Sequence, residues 1–113
     1  MHEMAITQSI LRIALDAAQK NGAKRVLAIN LRLGDFSDVV PAYVQAYFDI
    51  VSEGTMACGA RITETRTPAR VRCRDCGGES VIEKRHIQCP RCQSANLELL
   101  SGTEFTVESV EIE

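Results

Sequence analysis

Cys73-Arg74-Asp75-Cys76-Gly77-Gly78 and, twelve residues after Cys76, Cys89-Pro90-Arg91-Cys92 divide this 113-residue chain into its parts. Each pair leaves two residues between its thiols, so both sulfurs of one tight turn can face a single ion. Twelve intervening residues are enough for a short hairpin that brings the pairs together. Four thiolates around one ion make a closed tetrahedral site, the usual structural zinc geometry. The spacing therefore predicts structural zinc on Cys73, Cys76, Cys89 and Cys92. Two thioredoxin-like redox pairs would each need a strand-to-helix context, and the sequence offers none. Iron on the same soft ligands, as in a rubredoxin-like carrier, is the other chemistry the spacing admits. A closed site leaves no position for water, so no catalysis is assigned to it.

Residues 73–92 contain few large apolar side chains and cannot bury a core of their own. The flanking segments can. Upstream, Ala60 to Thr67 reads as a strand closed by Pro68. Downstream, Glu104 to Ile112 reads as the last strand, without a clear inner face. Lys24 to Leu33 alternates, with Leu27, Ile29, Leu31 and Leu33 as the expected buried set. Ile6, Ile10, Ile13, Ala14 and Ala17 recur at helical spacing from Met4 to about Asn21. Pro41 opens a second helix that runs to about Ser52 with the stripe Val44, Tyr47, Phe48 and Val51. A strand–helix–strand crossover makes parallel neighbours. The expected fold is α+β: a small mixed three-stranded sheet (about 24–35, 60–68 and 103–113) with two helices, plus an inserted zinc-ribbon-like module. The helices should bury Ile10, Ile13, Val44, Tyr47, Phe48 and Val51. Residues 1–68 with 102–113 form the expected α+β domain, and 69–101 the zinc-binding module.

Composition sets the class. Hydrophobic residues make up 45%, charged residues 25%, and the net charge is −2; a disordered chain or a general polyanion binder would look different. No apolar run approaches the roughly 18 residues of a membrane span. Met1-His2-Glu3-Met4 lacks the basic and apolar regions of a signal peptide. A reducing cytoplasm is the expected setting, with thiols kept as thiols or metal ligands. Cys58 is then expected as a small buried hydrophobe, and His86 as a surface residue near the metal. The cysteine-rich region is locally basic, with eight Lys and Arg between Arg61 and Arg91 against Glu64, Asp75, Glu79 and Glu83, a balance of +8 − 4 = +4. Zinc with four thiolates removes about two of those charges. No aromatic residue lies between Phe48 and Phe105, so bases would find no stacking platform. A zinc-ribbon nucleic-acid or transcription accessory module is the alternative reading of such a region. A solvated face, or a dock for an acidic protein, fits its charge better.

The first three residues carry a second metal chemistry. A free Met1 α-amine, the His2 amide nitrogen and the His2 imidazole can close adjacent five- and six-membered chelate rings. Glu3 or another donor completes a square, and nitrogen-rich square-planar sites favour Ni(II) or Cu(II). The chain has no nucleophile–base pair, no phosphate loop and no open zinc site, so it is not expected to be an enzyme.

Met1-His2-Glu3-Met4 together with the CxxC-x12-CxxC framework resembles the HypA/HybF family of hydrogenase maturation factors. The likeness also takes in Gly54-Thr55, Pro68-Ala69 and the closing Glu108-Ser109-Val110-Glu111-Ile112-Glu113, and so covers nearly the whole chain. It implies a nickel metallochaperone with His2 as principal nickel ligand, main-chain nitrogens of Met1 and Glu3 beside it, and structural zinc on the four cysteines. It implies delivery of nickel to the [NiFe]-hydrogenase large-subunit precursor with a HypB-type accessory GTPase, and in some members service to urease maturation proteins. Nucleic acid and membranes are not implied partners. Some members flank their zinc cysteines with histidines linked to acid sensing; here only His86 is near.

Overall fold

The computed structural model describes residues 3–113; Met1 and His2, including the expected start of the nickel chelate, lie outside the described residues. The elements in chain order are α1 (Glu3–Lys20), β1 (Val26–Gly34), α2 (Pro41–Val51), β2 (Arg61–Thr67), β3 (Ala69–Cys73), β4 (Glu79–Ile82), β5 (Leu97–Ser101) and β6 (Phe105–Ile112). They make two three-stranded sheets, β2-β1-β6 and β4-β3-β5. The chain divides into two compact units. One holds residues 3–31, 38–65 and 106–113; the other holds 32–37 and 66–105.

The first unit forms because its apolar residues recur with the period of each element. α1 has Glu3 in its first turn and Lys20 in its last, both favourable to the helix dipole. Its end is closed by Ala23 N–H donating to the Ala18 carbonyl across Gly22, whose φ is 63°. Pro41 starts α2 in the manner of a first-turn proline. The two helices pack on each other. Ile6, Ile10, Ala14 and Ala18 of α1, Val26, Ile29 and Leu31 of β1, and Val44 and Phe48 of α2 are buried. Ile10, Val44 and Phe48 are in the core as expected. Ile13 is not: it is 47% exposed, because the buried stripe of α1 runs Ile6, Ile10, Ala14, Ala18 and leaves Ile13 on the flank. Tyr47 and Val51 are only half-buried. Leu27 is exposed and Val26 buried, so the alternation of β1 holds only from Ile29 onward.

The sheet of β2, β1 and β6 is mixed, as the crossover rule requires. Thr63 pairs with Asn30 and Asp35 N–H donates to Thr67 O, so β1 and β2 run in the same direction. Lys24 N–H donates to Glu113 O and Gly34 N–H to Glu104 O, so β6 runs against β1. On the polar face, Asn30 Nδ2 donates to Ser109 Oγ (2.7 Å) and Glu111 Oε2 (3.1 Å). No helix among the described residues is long and apolar enough to cross a membrane.

The second unit is built around β3, which pairs antiparallel with β4 and β5 and has a bulge against β5 between Arg70 and Val71. β3 alternates: Ala69, Val71 and Cys73 are buried, Arg70 and Arg72 exposed. Ala69, Val71 and Ile82 form its small core, with Phe36 and Leu97 packed on it. Near that core two chain segments cross at glycines. A Cβ on Gly34 would overlap the Gly102 carbonyl, and a Cβ on Gly102 would lie 2.7 Å from Ala69 Cα. Phe36 N–H donates to Gly102 O at 2.7 Å across the same crossing.

Candidate metal centre

Cys73 ends β3, and Cys89 opens the second turn; both are 1% exposed, whereas Cys76 and Cys92 are exposed. The two Cys-x-x-Cys turns have the same backbone. Gly77 N–H donates to Cys73 O and Gln93 N–H to Cys89 O, each at 2.8 Å. Cys73 N–H donates to Gly78 O (2.9 Å) and Cys89 N–H to Ser94 O (2.8 Å). The residue after the second cysteine takes a positive φ in both, 75° at Gly77 and 63° at Gln93. Within each turn an amide points at the first sulfur, Cys76 N–H at Cys73 Sγ (3.5 Å) and Arg91 N–H at Cys89 Sγ (3.4 Å).

All four Sγ atoms lie within 4.8 Å of one another. Across the turns, Cys73 Sγ is 3.6 Å from Cys92 Sγ and Cys76 Sγ is 3.7 Å from Cys89 Sγ. Zinc–sulfur bonds of about 2.3 Å set the edges of a regular tetrahedron at about 3.8 Å. The donor set and its spacing therefore fit a four-thiolate zinc site. An ion there would join the two turns, which share no strand pairing. Asp75 braces the same junction: it accepts from Ser94 Oγ and from Asn96 Nδ2 (3.4 Å), and Ser94 Oγ accepts from Asn96 N–H (3.0 Å). Such outer partners hold ligating turns in place.

The thiols are not equivalent. The Cys76 amide, against burial, draws the Cys73 thiol down to about 7, helped by the Asp75 amide. The Cys92 and Arg91 amides lower Cys89 in the same way. At Cys92 the Ser94 amide also pulls downward, but the hydrogen bond with Cys73, burial and the contacts with Cys89 and Cys76 outweigh it and push the thiol up to about 12. The first sulfur of each turn is thus easier to deprotonate than Cys92, and a bound ion would supply the charge that favours thiolate.

The remaining expectations about this region divide. His86 is exposed and outside the cysteine cluster; its N–H donates to Glu83 O at 3.0 Å, and with Val81, Ile82, Glu83, Gln88 and Pro90 it lines a shallow cavity of about 270 Å³. Cys58 is exposed, not buried. It sits on a tight turn in which its N–H donates to Thr55 O and Ala60 N–H donates to Ala57 O; Ala57 and Ala60, not Cys58, face inward there. Part of the local positive charge is paired within the second sheet. Arg72 pairs with Glu79 (3.2 Å) and Glu98 (3.6 Å), Arg70 with Glu79 (3.7 Å), and Arg74 donates to Leu97 O (3.1 Å). Glu98 lies beyond residues 61–91 in sequence, and its pairing with Arg72 lowers the positive excess of that stretch.

Of the nickel residues, only Glu3 is described. It opens α1, half-buried, and its carbonyl accepts from Thr7 Oγ1 at 2.6 Å.

Residues 1–112 match the family described as hydrogenase/urease nickel incorporation, metallochaperone, HypA. The chain belongs to the HypA family. A hydrogenase maturation factor HypA of Dehalococcoides mccartyi is 39% identical over 113 residues, 100% of this chain and 95% of that protein. One from Geotalea uraniireducens is 39% identical over the full length of both chains, and one from Aquifex aeolicus is 35% identical over 113 residues, 100% of this chain and 98% of that protein. The solution structure of the nickel metallochaperone HypA from Helicobacter pylori matches the fold with a TM-score of 0.64 at 21% identity, covering 99% of this chain and 97% of that one. A second HypA solution structure gives 0.68 at 21% identity, covering 100% and 97%. The family does not favour a nucleic-acid module, and the α+β reading with a zinc-ribbon-like insert agrees with its fold.

Proposed function

We propose that this HypA-family chain is a nickel metallochaperone of hydrogenase maturation that takes up Ni(II) at its N-terminus. The observation that carries the reading is the match of residues 1–112 to a nickel metallochaperone family in a chain that starts Met1-His2-Glu3. Nickel here is cargo. His2 is the principal ligand through its imidazole and amide nitrogen, with the Met1 amine and the Glu3 amide beside it. The start of α1 at Glu3 supports that role. The first four N–H groups of a helix have no intrahelical acceptor, so drawing the Glu3 amide nitrogen to a metal costs α1 none of its own hydrogen bonds. Thr7, bonded to the Glu3 carbonyl, fastens the first turn behind it.

In this reading residues 1–68 with 102–113 carry the nickel function and 69–101 hold zinc for structure. Zinc on Cys73, Cys76, Cys89 and Cys92 would supply a closed cross-link and no open coordination position. The protein itself catalyses nothing: energy for release comes from a HypB-type accessory GTPase, and the recipient is the [NiFe]-hydrogenase large-subunit precursor, with urease maturation proteins as a second outlet. The work is done in the cytoplasm.

Calorimetry with Ni(II) on untagged protein tests the reading. Wild type should bind about one nickel, and His2→Ala should lose that binding with zinc content and helicity unchanged. A residue added ahead of Met1 replaces the amine with an amide and should weaken the site. Binding should fall as pH drops below about 7, because protons compete for an amine of pKa about 8 and an imidazole of about 6.5. Equal nickel affinity in wild type and His2→Ala would remove the basis for the proposal.

A further inference from the structure

α2 is apolar on two sides, and the fold uses one. Val44 and Phe48 are buried on the inner side. On the outer side Ala42, Tyr43, Ala46 and Ile50 follow one another at helical spacing, all exposed, with Tyr43 57% and Ile50 62% accessible. Val40, just ahead of the helix, is also exposed. The helix has eleven residues, of which Asp49 is the one charged side chain. A helix apolar on all sides is normally covered on all sides, so this outer stripe lacks its cover.

The segment that carries the stripe is acidic: residues 38–60 of this unit contain no Lys, Arg or His, but do contain Asp38, Asp49 and Glu53. Asp49 is fixed in place: Gln45 Nε2 donates to Asp49 Oδ1 at 2.8 Å, while Gln45 Oε1 accepts from Ile62 N–H at 2.8 Å. Asp49 and Gln45 line a shallow cavity of about 290 Å³ with Gly59, Ala60 and Arg61, the last being the cation of that lining.

We infer that the outer face of α2 is a docking surface for a basic amphipathic helix of a partner protein. Its apolar residues lie along Tyr43, Ala46 and Ile50, where the small Ala46 lets the two backbones approach. Its Lys or Arg side chains reach Asp49 and Glu53 at the rim. A second copy of the chain is a poor occupant, because pairing α2 with itself sets acidic rim against acidic rim. An eleven-residue helix, about 16 Å long, also falls short of the roughly 800 Å² per partner of a stable dimer. Opposite charge makes up for a small apolar contact by steering the encounter, which suits a transient complex. The inference does not rest on nickel binding at His2.

The chain reports on this face directly, since it has no Trp and both its tyrosines, Tyr43 and Tyr47, lie on α2. The probe is a synthetic helical peptide of about 18 residues, with Leu on one face at helical spacing and Lys elsewhere, titrated into the full zinc-loaded chain. We expect a saturable change in tyrosine emission. Ile50→Ser should weaken it at least tenfold with unchanged helicity, as should Asp49→Asn with Glu53→Gln, and added salt should weaken it further. His2→Ala should bind the peptide as wild type does. Equal binding of a scrambled peptide of the same composition, or of one with Glu in place of Lys, would overturn the inference. So would wild-type affinity in Ile50→Ser. Sedimentation showing a dimer that Ile50→Ser dissociates would overturn it in favour of a second copy.

Discussion

The two compact units solve the same problem with different means. The unit of α1, α2 and the β2-β1-β6 sheet has a core of Ile6, Ile10, Ile29, Leu31, Val44 and Phe48. The unit of β3, β4 and β5 has Ala69, Val71 and Ile82 with two partners. A core of that size cannot offset the ordering of some forty residues at a cost near 1.5 kcal/mol each. The metal is needed in the second unit, where the four cysteines stand in place of missing apolar side chains.

Removing zinc should have the largest effect. Structural zinc in small modules is worth on the order of 10 kcal/mol, so chelation or Cys73→Ser should melt the β4-β3-β5 sheet and leave α1 and α2 helical by circular dichroism. Thiol titration gives the same answer in counts. With zinc bound, the exposed Cys58 should react promptly and alone; after chelation all five cysteines of the chain should react. Acid should release zinc as well, because each bound thiolate must be kept free of a proton. In the metal-free unit Cys73, held at about 7 and below its ordinary 9, contributes stability that is present above pH 9 and lost as pH falls through 7; a bound ion moves that loss to lower pH. Cys92, pushed up to about 12, runs the other way in the metal-free unit, so the thiolate cluster forms fully only with the ion.

Phe48→Ala is the converse experiment. It empties the largest fully buried side chain of the first unit and should cost about 4 kcal/mol, read as a fall in the helical melting transition. Zinc content should stay at one per chain, since Phe48 is not part of the second unit. Loss of zinc in Phe48→Ala would mean that the two units do not fold separately.

Gly34→Ala tests the second unit without touching a ligand. Its methyl would meet the Gly102 carbonyl, and the strain should destabilise that unit by about 3 kcal/mol, seen as faster loss of zinc to a chelator. The substitution Gly78→Ala is a control, since there the nearest atoms belong to the flexible Arg91 side chain, at 3.0 Å and beyond.

Much of this was legible in the residues, and the misses have physical causes. The periods of α1, β1, α2 and β2 follow from apolar spacing, and the CxxC pairs mark their own meeting point. β3 is hidden because Pro68 signals the end of a strand, whereas the chain pairs again at once as Ala69-Arg70-Val71-Arg72-Cys73. Its alternation is in the sequence, but its arginines stand out as charge. β5 escaped because Leu97-Glu98-Leu99-Leu100-Ser101 does not alternate; the bulge against β3 breaks its register. For Ile13, Tyr47 and Val51 hydrophobicity alone points to the core, but it places a residue on a stripe and not at the centre of it. A lone cysteine is usually buried, and only the turn around Cys58 shows otherwise. The like geometry of the two zinc turns was half-legible: Gly77 announces the left-handed position in the first, and Gln93 hides it in the second.

That last pair gives the smallest and most specific test. A left-handed residue other than glycine costs roughly 1 kcal/mol. The two turns share their backbone-to-backbone hydrogen bonds and have nearly the same φ at this position, so the residue type there is the main difference to test. Gly77→Ala should therefore destabilise the second unit by about 1 kcal/mol, and Gln93→Gly should stabilise it by a similar or smaller amount. The gain could be reduced because Gln93 Nε2 donates to Pro90 O at 3.4 Å, a long and exposed bond that glycine gives up. Gln93→Asn separates the two contributions, because Asn tolerates the left-handed region better than most residues but is too short to keep the same bond. Chelator-driven zinc release followed in all three variants should rank Gln93→Gly slowest and Gly77→Ala fastest. The opposite order would show that the turns are held open by the metal alone, with the backbone following the sulfurs.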